Sequence, residues 1–133
     1  MRYAEAFTKL NYDLRLPRQH WSAVSDQGVC ISLWRVEIDW KNRKFDSRED
    51  ANPPDTWNAA GANKRKEHLK TAVQEFGGWV DVVVVDGIPG EGVDKATPWN
   101  PAERENLLWR VTFFDEAMGH FRAEMMPADE RPR

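Results

Sequence analysis

Residues 30–40 read CISLWRVEIDW, and the two halves of that stretch disagree about which face is buried. Val29, Ile31 and Leu33 place the apolar side chains at odd positions. From Trp34 onward the apolar residues Trp34, Val36, Ile38 and Trp40 are even and alternate with Arg35, Glu37 and Asp39. Successive strand side chains point to opposite faces, so one continuous strand would change its buried side between Leu33 and Trp34. A β-bulge or a sharp bend produces that switch, together with stronger twist. Small half-closed sheets use such bends at their corners. The stretch therefore predicts an α+β fold around a small bent, mostly antiparallel sheet, with barrel-like closure as its extreme form.

The flanking sequence supplies the other elements. Residues 3–10 read as a short helix or an edge strand, and Tyr12, Leu14 and Leu16 alternate like a strand that stops at Pro17. The run SDQG at 25–28 is turn chemistry that opens the long strand. Residues 41–54 form a polar loop with a short strand near Phe45 as an option. Leu69, Ala72, Val73 and Phe76 then fall at i, i+3, i+4 and i+7, the pattern of one helix face, with Asn63 as the expected N-cap and Gly77 and Gly78 as the stop. The unbroken run of Val82, Val83, Val84 and Val85 predicts a strand buried on both faces.

A second long loop, rich in Gly and Pro, follows at 86–103. Residues 107–126 read as a hairpin that buries Trp109, Val111, Phe113, Phe121, Ala123 and Met125, with Gly119 in its turn. Residues 1–126 thus make a single domain, and 127–133 a disordered tail.

Composition narrows the classes. The chain has 133 residues, 41% hydrophobic and 31% charged, enough to bury a core without staples. No apolar run approaches the roughly 20 residues of a membrane span, and no signal-peptide core is present. One cysteine, Cys30, lies in an apolar strand and reads as a small buried hydrophobe in a reducing, cytoplasmic setting. Residues 1–66 hold 12 Lys and Arg against 9 Asp and Glu, whereas 67–133 hold 7 against 13. The whole-chain balance of -3 argues against generic affinity for nucleic acid and leaves room for a local basic patch.

Three functional readings compete. The first is a binding domain recognising nucleic acid through Lys41, Arg43 and Lys44, flanked by Trp40 and Phe45, together with Lys64, Arg65 and Lys66 at the expected helix start. Cations there oppose the helix dipole, a penalty that a bound phosphate would offset. The alternative is that Glu49, Asp50 and Asp55 compensate it, or that the helix starts earlier, at Asp55 or Thr56, and leaves these cations mid-helix. Trp57, like Trp21 and Trp99, lies in or beside a loop, where a ring stacks on an unpaired base or caps the sheet. The second reading is a protein-interaction or homodimerising domain, since the seven tryptophans and the hairpin edges suit interfaces. The third is a metal-dependent phosphodiester hydrolase built on Asp26, Glu37, Asp39 and Lys41, an acid-x-Lys pattern that charged chains produce by chance. His20, His68 and His120 have no metal-ligand spacing, and no cofactor is implied.

Overall fold

The computed structural model describes residues 2–14, 21–49, 59–88, 97–99 and 107–127. Among these, helix α1 (Tyr3–Lys9) precedes strands β1 (Ser22–Ser25) and β2 (Gly28–Trp34). A 3₁₀ turn (Arg35–Glu37), β3 (Lys44–Asp46), a second 3₁₀ turn (Ser47–Glu49) and helix α2 (Ala59–Glu75) follow. Strands β4 (Trp79–Asp86), β5 (Thr97–Pro98), β6 (Leu107–Phe114) and β7 (Phe121–Pro127) complete the order. The strands form one sheet in the order β1-β2-β4-β6-β7-β3, with β5 paired to the end of β4. Pairing is antiparallel throughout except for β2 and β4, which run parallel with Ile31 opposite Val82 and Trp34 opposite Val85.

The parallel pair is covered on both faces, which is why β4 reads as an unbroken valine run. On one face Val29, Ile31, Leu33, Val80 and Val84 pack with Leu69 and Ala72 of α2 and with Trp109, Val111, Phe121, Ala123 and Met125. On the other, Cys30, Val83 and Val85 pack with Tyr3, Ala6 and Phe7 of α1 and with Tyr12 and Leu14. Tyr12 and Leu14 are not in a strand, as their alternation had predicted. They cover the sheet instead, and the Tyr12 hydroxyl donates to Asp81 at 2.6 Å. Cys30 is fully buried, and its burial pushes the thiol well above its ordinary pKa.

The face switch has its explanation at Trp34. Residues 29–40 are not one strand, and no bulge lies there. β2 ends at Trp34 and a single 3₁₀ turn redirects the chain, so that Ile38 enters the core on the α2 side with Leu33. The bulge occurs elsewhere. Between Val111 and Phe113 the β6–β7 register shifts by one residue, which turns Phe113 out to 38% exposure under the Arg48 guanidinium. The rest of the predicted hairpin face (Trp109, Val111, Phe121, Ala123, Met125) is buried.

Helix α2 begins at least four residues before the expected Asn63 cap and stops at Gly77 and Gly78, both at positive φ. The sheet is bent and open, not closed into a barrel. It curls far enough that Arg65 of α2 reaches Trp21, beside β1, and Phe121 of β7, each ring 4.9 Å from its guanidinium carbon. Among the described residues no helix is long and apolar enough to cross a membrane. Pro127 closes β7, and residues 128–133, where the disordered tail was expected, lie outside the described residues.

Candidate functional site

The carboxyl ends of the parallel strands carry a linked cluster of charged and indole side chains. Parallel pairing places the residues that follow Trp34 and Val85 side by side, and these are Arg35 and Asp86. Arg35 Nε donates to Asp86 Oδ1. The other carboxylate oxygen, Oδ2, accepts the indole Nε1–H of Trp99 at 2.5 Å. Trp99 stacks on Trp40, with centroids 5.6 Å apart and planes 16° from parallel. Trp40 closes the circuit by donating its own Nε1–H to the Arg35 carbonyl at 3.2 Å. Hydrogen bonds from Arg35 and Trp99 hold the Asp86 carboxyl below its ordinary pKa. Trp40 itself is exposed at 37%, and Val36 and Ile88, which follow Arg35 and Asp86 closely in sequence, at 58% and 61%.

Trp40 opens a four-residue turn, 40–43. Asp39 and Lys44 close it by exchanging backbone hydrogen bonds of 2.9 and 3.1 Å. The Asp39 carboxylate braces it from within, accepting from the Asn42 backbone N–H at 3.1 Å and from Asn42 Nδ2 at 2.8 Å. Those bonds hold Asp39 below its ordinary pKa. Arg43 adopts φ 56°, in the left-handed region, where a side chain costs about 1–2 kcal/mol. Its carbonyl accepts the Met125 N–H at 2.9 Å, which anchors the turn to β7. Lys41 and Arg43 are exposed, and neither makes an ion pair with a described residue.

The basic cluster expected from the sequence is divided. Lys41 and Arg43 stand on the turn, but Lys44 is half-buried. Phe45 enters the α2-side core, so strand alternation puts Lys44 on the opposite face. Lys64, Arg65 and Lys66 are not at a helix N-terminus; with α2 starting at Ala59 they lie in its second turn, and the helix-dipole argument for a phosphate there fails. Lys64 pairs with Glu67 at 3.2 Å, and Arg65 is buried. Trp57 lies outside the described residues.

The acidic cluster is not assembled either. Asp26 sits in the β1–β2 turn, whereas Glu37 and Asp39 lie beyond the far end of β2. Seven strand residues, roughly 20 Å, separate them. Among the described residues no three of His, Cys, Asp and Glu are grouped to hold a metal.

Two Ser–His contacts have the composition of a nucleophile and its base but not the setting. Ser22 Oγ lies 2.7 Å from His68 Nδ1 and Ser47 Oγ 3.0 Å from His120 Nδ1. Both serines are buried, and Ser47 Oγ also accepts the Phe121 N–H at 2.9 Å. These bonds satisfy buried polar groups where β1 meets α2 and where the second 3₁₀ turn meets the start of β7.

Arg35 and Asp86 are the site residues that sequence reasoning missed, whereas Trp99 stands out in the sequence only as a ring in or beside a loop. Their only advance signal is that Arg35 and Asp86 are the first charged residues after two buried apolar runs. No family model, curated protein or solved structure matches the chain.

Proposed function

We propose that this chain is a binding domain for single-stranded nucleic acid, taken at the turn 40–43. The observation that carries the reading is Trp40. Its indole is backed by Trp99, fixed by a hydrogen bond at Nε1, partly exposed, and followed within three residues by two exposed cations. An unpaired base gains roughly 1–3 kcal/mol from such a ring, and cations beside it track the backbone. The left-handed Arg43 supports the same reading: Gly would remove the strain, yet the chain carries a cation there. The local charges cancel, with Arg35, Lys41 and Arg43 set against Glu37, Asp39 and Asp86, so the reading favours stacking over bulk electrostatics.

Titration of a short oligothymidylate at low salt, followed by tryptophan fluorescence, tests it. Quenching that weakens as salt is raised is the expected result. Absence of binding at low salt overturns it. Exposed Val36 and Ile88 favour a second reading, in which the same end of the sheet docks a protein or a second copy of the chain. A dimer by light scattering, with no oligonucleotide binding, would decide for that reading.

A further inference from the structure

The geometry points to Arg35 as the residue that grips the phosphate next to the base stacked on Trp40, and to Asp86 as the positioning residue that aims its guanidinium. This rests on the single-strand reading above.

An arginine side chain carries five N–H donors in a planar fork. In Arg35, Nε–H is engaged by Asp86 Oδ1, and no other hydrogen bond of its side chain to a described residue is formed. The terminal Nη groups are therefore left for a ligand, on a side chain 47% exposed. A surface arginine ordinarily samples many rotamers, and that freedom is lost when it binds. Here Asp86 removes it beforehand. Its carboxylate is itself oriented from the other side by Trp99 Nε1, and the Trp99 ring supports Trp40. Base platform and guanidinium are thus parts of one circuit, closed by three hydrogen bonds and one ring stack. The Trp40 Nε1–H bond to the Arg35 carbonyl fixes the ring beside the main chain that bears the fork. The two non-bridging oxygens of a phosphodiester match such a fork, and an ammonium group does not reproduce that match.

The carboxylate gives the inference a sign. By Coulomb attraction alone, Asp86 repels a phosphate, and neutralising it would tighten binding. If Asp86 holds the fork in its binding geometry, neutralising it weakens binding instead.

The test is oligothymidylate titration of the wild type, Arg35→Ala, Arg35→Lys and Asp86→Asn across a salt series, with circular dichroism to confirm folding. Arg35→Ala should lose roughly tenfold in affinity, as for a charged hydrogen bond. Its salt slope should fall by about 0.7, one single-strand phosphate contact. Arg35→Lys, which keeps the charge and the fold, should recover the slope but not the full affinity. Asp86→Asn should bind more weakly with the slope unchanged. Wild-type binding with Arg35→Ala or Arg35→Lys indistinguishable from it overturns the role of Arg35, and tighter binding by Asp86→Asn overturns that of Asp86. A wild type that binds no oligonucleotide overturns the single-strand reading, and this inference with it.

Discussion

Trp21 and Phe121 meet across one guanidinium: the Arg65 carbon lies 4.9 Å from each ring, although Trp21 adjoins the edge strand β1 and Phe121 opens β7, near the opposite edge. An open sheet whose two sides touch the same side chain is curled tightly around its helix. Arg65 is only 8% exposed and joins those sides where no strand pairing does. Desolvated cation–π contacts are worth about 2 kcal/mol each. Arg65→Ala should therefore destabilise the domain by roughly 3 kcal/mol or more, measured by denaturant unfolding. Arg65→Lys should recover only part of that loss, because an ammonium cannot lie flat against two rings. A change below about 0.5 kcal/mol for Arg65→Ala would show that the curl is held by the core alone.

The exit from α2 allows a sharper stability test. Gly78 has φ 88° and lies so close to β6 that an added Cβ would sit 2.6 Å from the Val111 carbonyl oxygen. The two backbones are also joined by the Val111 N–H bond to the Gly78 carbonyl, 2.7 Å long. Gly78→Ala combines a left-handed backbone with a clash against main chain, and should cost roughly 2 kcal/mol or more. Gly77 has a similar φ, but its added Cβ would meet only the Trp79 side chain at 3.7 Å. Gly77→Ala should accordingly cost less, and equal losses at both positions would remove the clash argument.

Acid should weaken the fold through Asp46. The Arg48 side chain donates to its carboxylate at 2.9 and 2.6 Å, and the Arg48 N–H adds a third bond of 3.0 Å. These bonds hold the Asp46 carboxyl below its ordinary value. A group whose pKa is depressed by folding contributes stability above its unfolded value, about 3.9 for Asp, and loses it as pH falls through the lower folded value. Denaturant unfolding at neutral pH and near pH 3 should show that loss. Asp46→Asn should be less stable than wild type at neutral pH, and the difference should narrow on acidification. A difference that stays constant with pH would assign the effect to packing.

What the sequence made legible was local. Four consecutive valines announced a strand covered on both faces, and alternation across 107–126 announced the hairpin, apart from the one-residue bulge that turned Phe113 outward. The start of α2 stays open in the sequence between Asn63 and an earlier position near Asp55 or Thr56, because Asn63 has the chemistry of a cap while Ala59, Ala60, Gly61 and Ala62 ahead of it show no apolar periodicity. The parallel pairing of β2 with β4 was missed because it joins residues 51 positions apart, such as Ile31 and Val82, across a loop and helix α2 rather than through a single hairpin turn. The Arg35–Asp86 contact depends on that pairing. Trp40 and Trp99 are separated by 59 positions, so their stacking was equally invisible. Lys64, Arg65 and Lys66 formed a patch only in the one-dimensional chain.

The turn at 40–43 permits a prediction in which stability and binding part company. Trp40 is partly exposed, so Trp40→Ala should leave the fold largely intact while weakening oligonucleotide binding by about 1–3 kcal/mol, the value of one stacked base. Its salt slope should not change, because no phosphate contact is removed. Arg43→Gly should do the reverse to the electrostatics. Relief of a left-handed φ, about 1–2 kcal/mol, and the added backbone entropy of Gly, roughly 0.5–1 kcal/mol, nearly cancel. Stability should thus stay within about 1 kcal/mol of wild type or rise slightly. Binding should weaken and the salt slope fall by about 0.7 for the lost cation. Lys41→Ala combined with Arg43→Gly should lower the slope by about twice that amount. If Arg43→Gly stabilises the fold and leaves both affinity and slope untouched, the strained arginine has no part in binding, and the turn is not the nucleic-acid site.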